Sequence, residues 1–213
     1  MVATGKPVVL VMIQGRPLDL NWADAHVPAI LNAWYPGAQG GNALADLIFG
    51  DANPSGKLPV SYPRSVGQLP VYYSAANQRN NYTDASAQPL YPFGFGLSYT
   101  SFSFADMNIS QQADTVIVSF NLTNTGDDDG AEVAQLYLRQ EHTSVVRPER
   151  QLIAFEKIFL KKGESRTVTM TLSKDDFSFM DDSGNLRFEP SKFTLMLGAS
   201  SQDIRLQKEL EVK

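Results

Sequence analysis

Strict alternation of apolar and polar residues marks the second half of the 213-residue chain. Between residues 116 and 124, apolar side chains occupy every second position, and serine, asparagine and threonine occupy most of the others. The same period of two recurs at residues 167–172 and 204–212. Because neighbouring side chains of a β-strand point to opposite faces of a sheet, the pattern predicts strands with one buried and one hydrated face.

Four more strands are predicted in the same half, where apolar segments lie between turn signals. They cover residues 102–109, 132–139, 152–160 and 193–198. About seven short strands in roughly 115 residues predict an all-β sandwich, either fibronectin type III-like or immunoglobulin-like. The segments at 152–160 and 136–138 are apolar on both faces. We therefore expect their outer faces, including Phe155 and Phe159, to pack on another layer, most simply on the first half of the chain.

The first half predicts α/β structure instead. Residues 8–13 form a continuous apolar run, typical of a strand buried on both faces of a parallel sheet. Residues 29–34 predict a second strand or a short helix, and residues 43–49 a helix that ends at Gly50. A strand buried on both faces needs a layer on each side, and one helix cannot supply both. We therefore interpret this half as an α/β fragment, a partial parallel-sheet sandwich whose covering layers come from elsewhere.

Composition changes near residue 98. Residues 1–98 carry five basic and five acidic side chains, whereas residues 99–213 carry 13 and 18. Ten of the twelve prolines and ten of the fifteen glycines precede residue 99, and the first glutamate is Glu132. Such a shift predicts two domains, residues 1–98 and residues 99–213.

Several classes of function are disfavoured. The net charge of −5 argues against nucleic acid as a partner, and no apolar run has the length of a membrane span. The first six residues lack the apolar core of a signal peptide. Without cysteine, and with His26 and His142 isolated in the sequence, we expect neither a metal site nor a bound cofactor. Residues 127–129, three aspartates before a glycine, are interpreted as a solvated hairpin loop, with calcium binding as the alternative.

Four motifs carry a family resemblance. They are PGAQGGN at residues 36–42, NPSGKLP at 53–59, YPFGFGLSYT at 91–100 and GAEVAQLY at 130–137. Together they resemble glycoside hydrolase family 3, the β-glucosidase family, and the similarity extends in order along almost the whole chain. The resemblance implies that residues 1–98 are the last part of the family's α/β sandwich and that residues 99–213 are its fibronectin type III-like domain.

The resemblance also bears on catalysis. In this family the nucleophilic aspartate lies in a preceding barrel domain and the acid/base glutamate lies earlier in the α/β domain. Neither can be assigned here: Asp24 stands outside the family motif, and no glutamate precedes Glu132. The resemblance thus implies the C-terminal portion of an enzyme that hydrolyses O-glycosidic bonds in β-linked oligosaccharides. This portion alone is expected to be inactive. Its implied partners are a glycoside substrate and the missing N-terminal barrel, a homo-oligomer is compatible with it, and a periplasmic or secreted location is implied.

The long polar loop at residues 74–89 supplies the candidate substrate contacts. Tyr73, Arg79, Tyr82 and Asp84 combine aromatic and polar groups, which suit the apolar faces and hydroxylated rims of sugars. We interpret them as a contribution to the rim of a sugar site, with an interdomain cover as the alternative. A second function class is a non-enzymatic carbohydrate-binding or adhesion module. It would need an exposed aromatic row, whereas the hydrated strand faces carry serine, asparagine and threonine, which favours the glycosidase.

Two further expectations concern the contact between the halves. Glu132 lies on a strand face with apolar neighbours, so it needs a cationic partner, for which Arg147, Arg150 and Lys157 are the candidates. Four large side chains at a period of two should be buried at the junction because they would be a liability in solvent. These four are Phe93, Phe95, Leu97 and Tyr99.

Overall fold

The computed structural model describes residues 1–76, 86–112 and 115–213. The first unit (residues 1–98) contains a parallel two-stranded sheet, β1 (Val9–Met12) with β2 (Ala29–Asn32), and two helices, α1 (Asn21–His26) and α2 (Gly40–Phe49). The strand predicted at residues 8–13 is therefore confirmed, and residues 29–34, for which a strand or a short helix was predicted, contain a strand. The predicted helix begins three residues earlier than expected. Helix α1 was not predicted, because its six mostly polar residues show no apolar period.

One face of β1 is left partly uncovered by the described residues, as expected for a partial sandwich whose covering layers come from elsewhere. Met12 is buried with Leu20, Ala23 and Tyr62, but Val9, in β1, and Ile13, just after it, are exposed. The face that carries Val9 and Ile13 is therefore covered only in part by the described residues. The apolar run of β1 therefore marks a surface that another layer would cover.

The second unit (residues 99–213) is a β-sandwich. Its nine strands are β3 (Phe102–Gln112), β4 (Thr115–Asn124), β5 (Gly130–Gln140), β6 (Gln151–Leu160), β7 (Ser165–Ser173), β8 (Phe179–Met180), β9 (Leu186–Arg187), β10 (Ser191–Gly198) and β11 (Ile204–Val212). One sheet has the order β11-β10-β5-β6 and the other β3-β4-β7, while β8 and β9 form a short hairpin. All seven predicted strands are confirmed. The hairpin was missed, since two-residue strands leave no periodic signal.

The core lies between the two sheets and follows the predicted alternation. Val118 and Leu122 of β4 face Leu136 of β5 and Leu195 of β10, and all four are fully buried. Burying a leucine side chain stabilises a fold by about 1.5–3 kcal/mol. The opposite face of β4 and β7 is hydrated and polar, with Thr167 donating a hydrogen bond to Asn121 across the strands.

The outer face of β6 contradicts the sequence prediction. Phe155 and Phe159 are 68% and 54% exposed rather than packed on the first unit. Strand β6 is the edge of its sheet, and a register break between Leu136 and Tyr137 shifts its pairing with β5. The covered part of the outer face centres on Tyr137 instead, which is fully buried. The prediction therefore holds for residues 136–138 only.

In the segment that joins the units, two of the four side chains predicted to be buried are half-buried and the other two are exposed. Phe93 and Phe95 are half-buried, the first stacked on Tyr73, but Leu97 and Tyr99 are 74% and 52% exposed. The reason is that Ser98 turns inward, where its hydroxyl donates to Asn53. The two neighbours of Ser98 are therefore turned outward.

Among the described residues, no helix combines the length and apolarity needed to cross a membrane. The same part of the chain contains no group of three or more histidine, aspartate or glutamate side chains placed to hold a metal ion.

Candidate functional site

A cavity of about 130 Å³ lies between the two units, and we call it the junction cavity. The first unit lines it through the loop at residues 70–75 and through residues 87–89, and the second unit through the loops at residues 149–150 and 201–202. Besides Ser61, Gln68 and Ser201, its polar lining includes two tyrosines, two further glutamines and one oppositely charged pair. These are Tyr72, Tyr73, Gln88, Glu149, Arg150 and Gln202.

Tyr73 is the one candidate rim residue that the structure places. Its ring stacks on Phe93 at 4.0 Å between centroids and meets Tyr137 edge-on at 6.2 Å. Its hydroxyl accepts a hydrogen bond from the backbone N–H of Leu152 at 3.4 Å. Tyr73 therefore ties the two units together and also lines the cavity. The other three candidates, Arg79, Tyr82 and Asp84, lie outside the described residues.

The described residues before and after positions 77–85 are hydrogen-bonded to the second unit. The carbonyl of Ala75 accepts from the Glu149 N–H at 3.2 Å, and the Gln202 amide donates to the Gln88 side chain at 2.7 Å. Buried Gln68 also holds the returning chain, because its amide nitrogen donates to the carbonyl of Gln88 at 3.1 Å. Sequence reasoning missed Gln68, since a single glutamine in a loop gives no signal.

The charged pair at the cavity comes from adjacent residues. Arg150 donates from Nη1 to the carbonyl of Ser201 at 2.6 Å, which holds the two loops of the second unit together. The carboxylate of Glu149 lies 3.7 Å from a guanidinium nitrogen of Arg139 on β5. Among the described lining residues, Arg150 and Glu149 are the charged ones, so this part of the wall presents one guanidinium and one carboxylate.

Glu132 is paired, as predicted, but with a residue of the first unit. Lys57 Nζ lies 2.7 Å from Glu132 Oε1, and the two side chains are only 12% and 10% exposed. Lys57 also donates to the carbonyl of Gly96 at 3.0 Å. The three predicted partners were wrong. These three residues are closer than Lys57 to Glu132 in the sequence. In the fold, however, the start of β5 lies beside the loop of the first unit that contains Lys57.

A second contact across the junction uses a buried amide. Gln135 Nε2 donates to the carbonyls of Gly94 at 3.1 Å and Ala199 at 2.6 Å, and the Tyr137 hydroxyl donates to Gln135 Oε1 at 2.6 Å. Burial raises the pKa of Tyr137, so it remains a neutral donor. Gly94 has φ of +80°, and a Cβ atom there would lie 2.1 Å from Gln135 Oε1. Only glycine suits that position.

The carboxyl edge of the parallel strand pair is also polar. Buried Gln14, just after β1, donates to the Tyr62 hydroxyl at 2.6 Å and faces Asn32 at the end of β2. Gln14 Oε1 and Asn32 Nδ2 have no hydrogen-bond partner among the described residues. Asp24 is engaged elsewhere, accepting from the Tyr91 hydroxyl at 2.6 Å. Burial, reinforced by Asp24, raises the pKa of Tyr91.

Comparison with known proteins gives the same picture for both units. The glycosyl hydrolase family 3 C-terminal domain matches residues 1–99, and a fibronectin type III-like domain matches residues 132–201. A periplasmic β-glucosidase of Salmonella typhimurium is 46% identical over 95% of this chain, and a β-xylosidase of Formosa agariphila is 42% identical over 93%. The chain spans 29% of the length of each of these relatives.

Solved structures of β-glucosidases contain a portion with the same fold as this chain. A β-glucosidase from Erythrobacter marinus covers 100% of the chain with a TM-score of 0.95 at 41% identity, and the chain covers 29% of that protein. A β-glucosidase mutant from Listeria innocua, solved with laminaribiose, covers 100% with a TM-score of 0.92 at 35% identity, and the chain covers 31% of it. The chain belongs to glycoside hydrolase family 3 and corresponds to the C-terminal portion of its β-glucosidase-like members.

Proposed function

We propose that the chain serves as the non-catalytic C-terminal portion of an enzyme that hydrolyses O-glycosidic bonds in β-linked oligosaccharides. The similarity of both units, in order and over nearly the whole chain, to proteins named β-glucosidase and β-xylosidase carries this proposal. In it, residues 1–98 complete the α/β sandwich and residues 99–213 form the fibronectin type III-like domain that buttresses it. Lys57–Glu132 and the Gln135 amide support that role, because they join the two units through buried polar contacts.

The partner in this proposal is a preceding region that brings the catalytic carboxylates, the nucleophile on a barrel domain and the acid/base on the earlier part of the α/β domain. The apolar side chains of Val9, Ile13 and Phe49, each exposed in the described chain, would be covered by such a neighbour in this proposal. The periplasmic name of the Salmonella relative supports a periplasmic or secreted location.

Tyr73, Arg79, Tyr82 and Asp84 remain the proposed rim contacts to substrate. The position of Tyr73 at a cavity between the units supports a role for this segment near a ligand. A purely adhesive module is the weaker alternative, because the hydrated face of β4 and β7 presents Ser119, Asn121, Thr169 and Thr171 rather than aromatic rings.

An activity assay tests the proposal. Retaining hydrolysis needs a carboxylate nucleophile and a second carboxyl group about 5–5.5 Å away. We expect the purified 213-residue chain to release no nitrophenol from aryl β-D-glucoside or β-D-xyloside. A fusion that places both the barrel and the earlier part of the α/β domain of a relative before residue 1 should restore hydrolysis. Turnover by the chain alone that disappears on Asp24→Asn would contradict the proposal, as would a folded but inactive fusion.

A further inference from the structure

Four aromatic rings form a continuous path of contacts from the parallel strands of the first unit to the segment that joins the units. The ring centroids of Trp34 and Tyr62 lie 6.4 Å apart, and Tyr62 meets Tyr91 edge-on at 6.0 Å. Tyr91 in turn stacks on Phe95 at 5.2 Å. All three separations lie in the range of favourable aromatic contacts. We call these four residues the ring column.

The ring column begins at a strained residue. Trp34 follows the end of β2, and its φ angle of +49° lies in the left-handed region that bulky residues rarely adopt. The backbone pairing of the two strands continues into this turn: the N–H of Ala33 donates to the carbonyl of Met12 at 2.9 Å, and that of Gln14 to the carbonyl of Trp34 at 3.2 Å. A residue keeps such a conformation only where its surroundings enforce it. The contacts of the Trp34 ring therefore help to shape the carboxyl edge of the parallel strands.

The two middle rings are fixed by polar contacts. Tyr62 is fully buried, and its hydroxyl accepts from Gln14 at 2.6 Å. The hydroxyl of Tyr91 donates to Asp24 of α1 at 2.6 Å. The backbone N–H of Tyr62 also donates to the carbonyl of Tyr91 at 2.8 Å. Since packed interiors contain few voids, a displacement of one of these rings has to displace the other.

The far end of the ring column is anchored on the second unit. Phe95 lies between Gly94 and Gly96, and both neighbours are held. The carbonyl of Gly94 accepts from Gln135 Nε2 of β5 at 3.1 Å. The carbonyl of Gly96 accepts from Lys57 at 3.0 Å, and the same ammonium group lies 2.7 Å from a carboxylate of the second unit. The position of the Phe95 ring is therefore set by the sandwich.

We propose that the ring column couples the two units, so that the sandwich, acting through Gln135 and Phe95, holds Trp34 in its left-handed conformation. Coupling between distant parts of a protein is carried by such chains of packed side chains. When the far end is released, Tyr91 and then Tyr62 move, and Trp34 relaxes its strained backbone. The sandwich is thus a positioning element for the carboxyl edge of the parallel strands, the edge at which α/β sheets bind ligands. Any effect on a substrate rests on the proposed function, whereas the coupling is a property of this chain alone.

Trp34 is its own reporter. The chain has two tryptophans, so Trp22→Phe leaves Trp34 as the only one. Trp22 is 62% exposed and stacks on His26, outside the ring column, so this variant should fold. The indole N–H cross-peak in a proton–nitrogen correlation spectrum and the quenching of fluorescence by acrylamide then report on Trp34 alone.

Two substitutions in that background test the coupling. Phe95→Leu should shift the Trp34 cross-peak and increase quenching, because it removes the ring on which Tyr91 stacks. Gln135→Met should have the same effect from within the second unit, because it removes the amide that holds Gly94. Within the described chain, no hydrogen bond or ring contact joins Phe95 or Gln135 directly to Trp34, so both effects must travel through the ring column.

Each substitution has a matched control. Phe155→Leu removes an exposed phenylalanine ring outside the ring column. Gln140→Met removes a second buried glutamine of β5, whose hydrogen bonds to Arg147 and His142 stay within the second unit. Both control variants should leave the Trp34 cross-peak and the quenching unchanged.

A Trp34 signal that does not respond to Phe95→Leu, or does not respond to Gln135→Met, overturns the proposal. An equal response to the control variants also overturns it. Thermal melts identify any variant that does not fold. Phe95→Met and Gln135→Asn then take its place, because they are milder changes and should move the signal in the same direction by less. Since no substrate is used, an inactive fusion enzyme would reject the proposed function and leave the ring column standing, and the reverse also holds.

Discussion

At the scale of single residues, the Lys57–Glu132 pair is the most consequential contact between the units. Its oxygen and nitrogen lie 2.7 Å apart with both side chains nearly buried. Removing one member of a buried pair leaves the other charge uncompensated. Glu132→Gln should lower the free energy of unfolding by roughly 1–3 kcal/mol in urea titrations. Exposed Glu156→Gln on β6 is the control, and a Glu132 effect within about 0.5 kcal/mol would show that the pair is merely solvated.

Tyr62 allows a second residue-scale prediction. Its fully buried hydroxyl accepts from Gln14 at 2.6 Å. Tyr62→Phe keeps the ring but leaves the Gln14 amide without this partner, and should destabilise the protein by about 1–3 kcal/mol. Tyr35→Phe, at an exposed tyrosine whose hydroxyl has no hydrogen bond to a described residue, should be neutral in the same thermal denaturation experiment. Equal melting temperatures for the two variants would argue that water replaces the lost hydroxyl.

Glu141 gives a prediction about pH. The Thr194 hydroxyl, helped by Arg139, holds the pKa of Glu141 below its ordinary value. A carboxyl group with a lowered folded-state pKa stabilises the fold above its unfolded pKa, and this contribution is lost as pH falls through the folded-state value. Glu141→Gln should therefore cost stability at neutral pH and progressively less on acidification. Urea titrations from about pH 7 to pH 3 measure the difference. A difference that does not change with pH would contradict the prediction.

At the scale of elements, the alternation of apolar and polar residues predicted β4, β7 and β11 because a sandwich strand has one core face. The same pattern placed Phe155 and Phe159 together on one face of β6 but could not say whether a layer covers it. Coverage depends on which elements reach that face in space. The period of two at residues 93–99 was likewise detectable, but it did not show which of these side chains face the interior. The hydrogen bond from Ser98 to Asn53 turns Ser98 inward, and this contact depends on the fold.

Gly94 and Gly163 form a matched pair of sites for testing how tightly the segment that joins the two units packs on Gln135. Both have left-handed φ angles, +80° and +73°, but a Cβ atom meets Gln135 at the first and open space at the second. Alanine at either site carries backbone strain, which destabilises by about 1 kcal/mol. Gly94→Ala should cost at least about 1 kcal/mol more, because the buried amide must also move. Equal losses of stability would mean that Gln135 adapts freely.

At the scale of the molecule, the family motifs predicted both units in their order, while the contacts of the site were mostly beyond sequence reasoning. Tyr73 was a candidate because aromatic residues beside a long polar loop signal a binding role, and the structure places it at the junction cavity, while its contact with substrate stays a prediction. The partnership of Lys57 with Glu132, and that of Arg150 with Ser201, join residues far apart in the chain. No local pattern records such pairs, because the fold alone brings them together.

The two units should differ in their ability to fold alone. The second has a continuous core between two sheets, whereas the first buries few apolar side chains and exposes the apolar residues around β1. Residues 99–213 should show a cooperative thermal melt, and residues 1–98 should not. The isolated sandwich should melt below the full chain because Tyr137 loses its cover. A cooperative melt of residues 1–98 would refute this prediction.

The Gln135 amide has a mechanical consequence. It donates at the same time to Gly94, in the segment that joins the units, and to Ala199, after β10. Rotation about that segment would have to strip both carbonyls of a buried donor without water to replace it. The peptide at residues 93–100 is therefore a rigid connection and not a hinge. We therefore expect the two units to move together, since any change in their relative orientation must first break the Gln135 hydrogen bonds to Gly94 and Ala199.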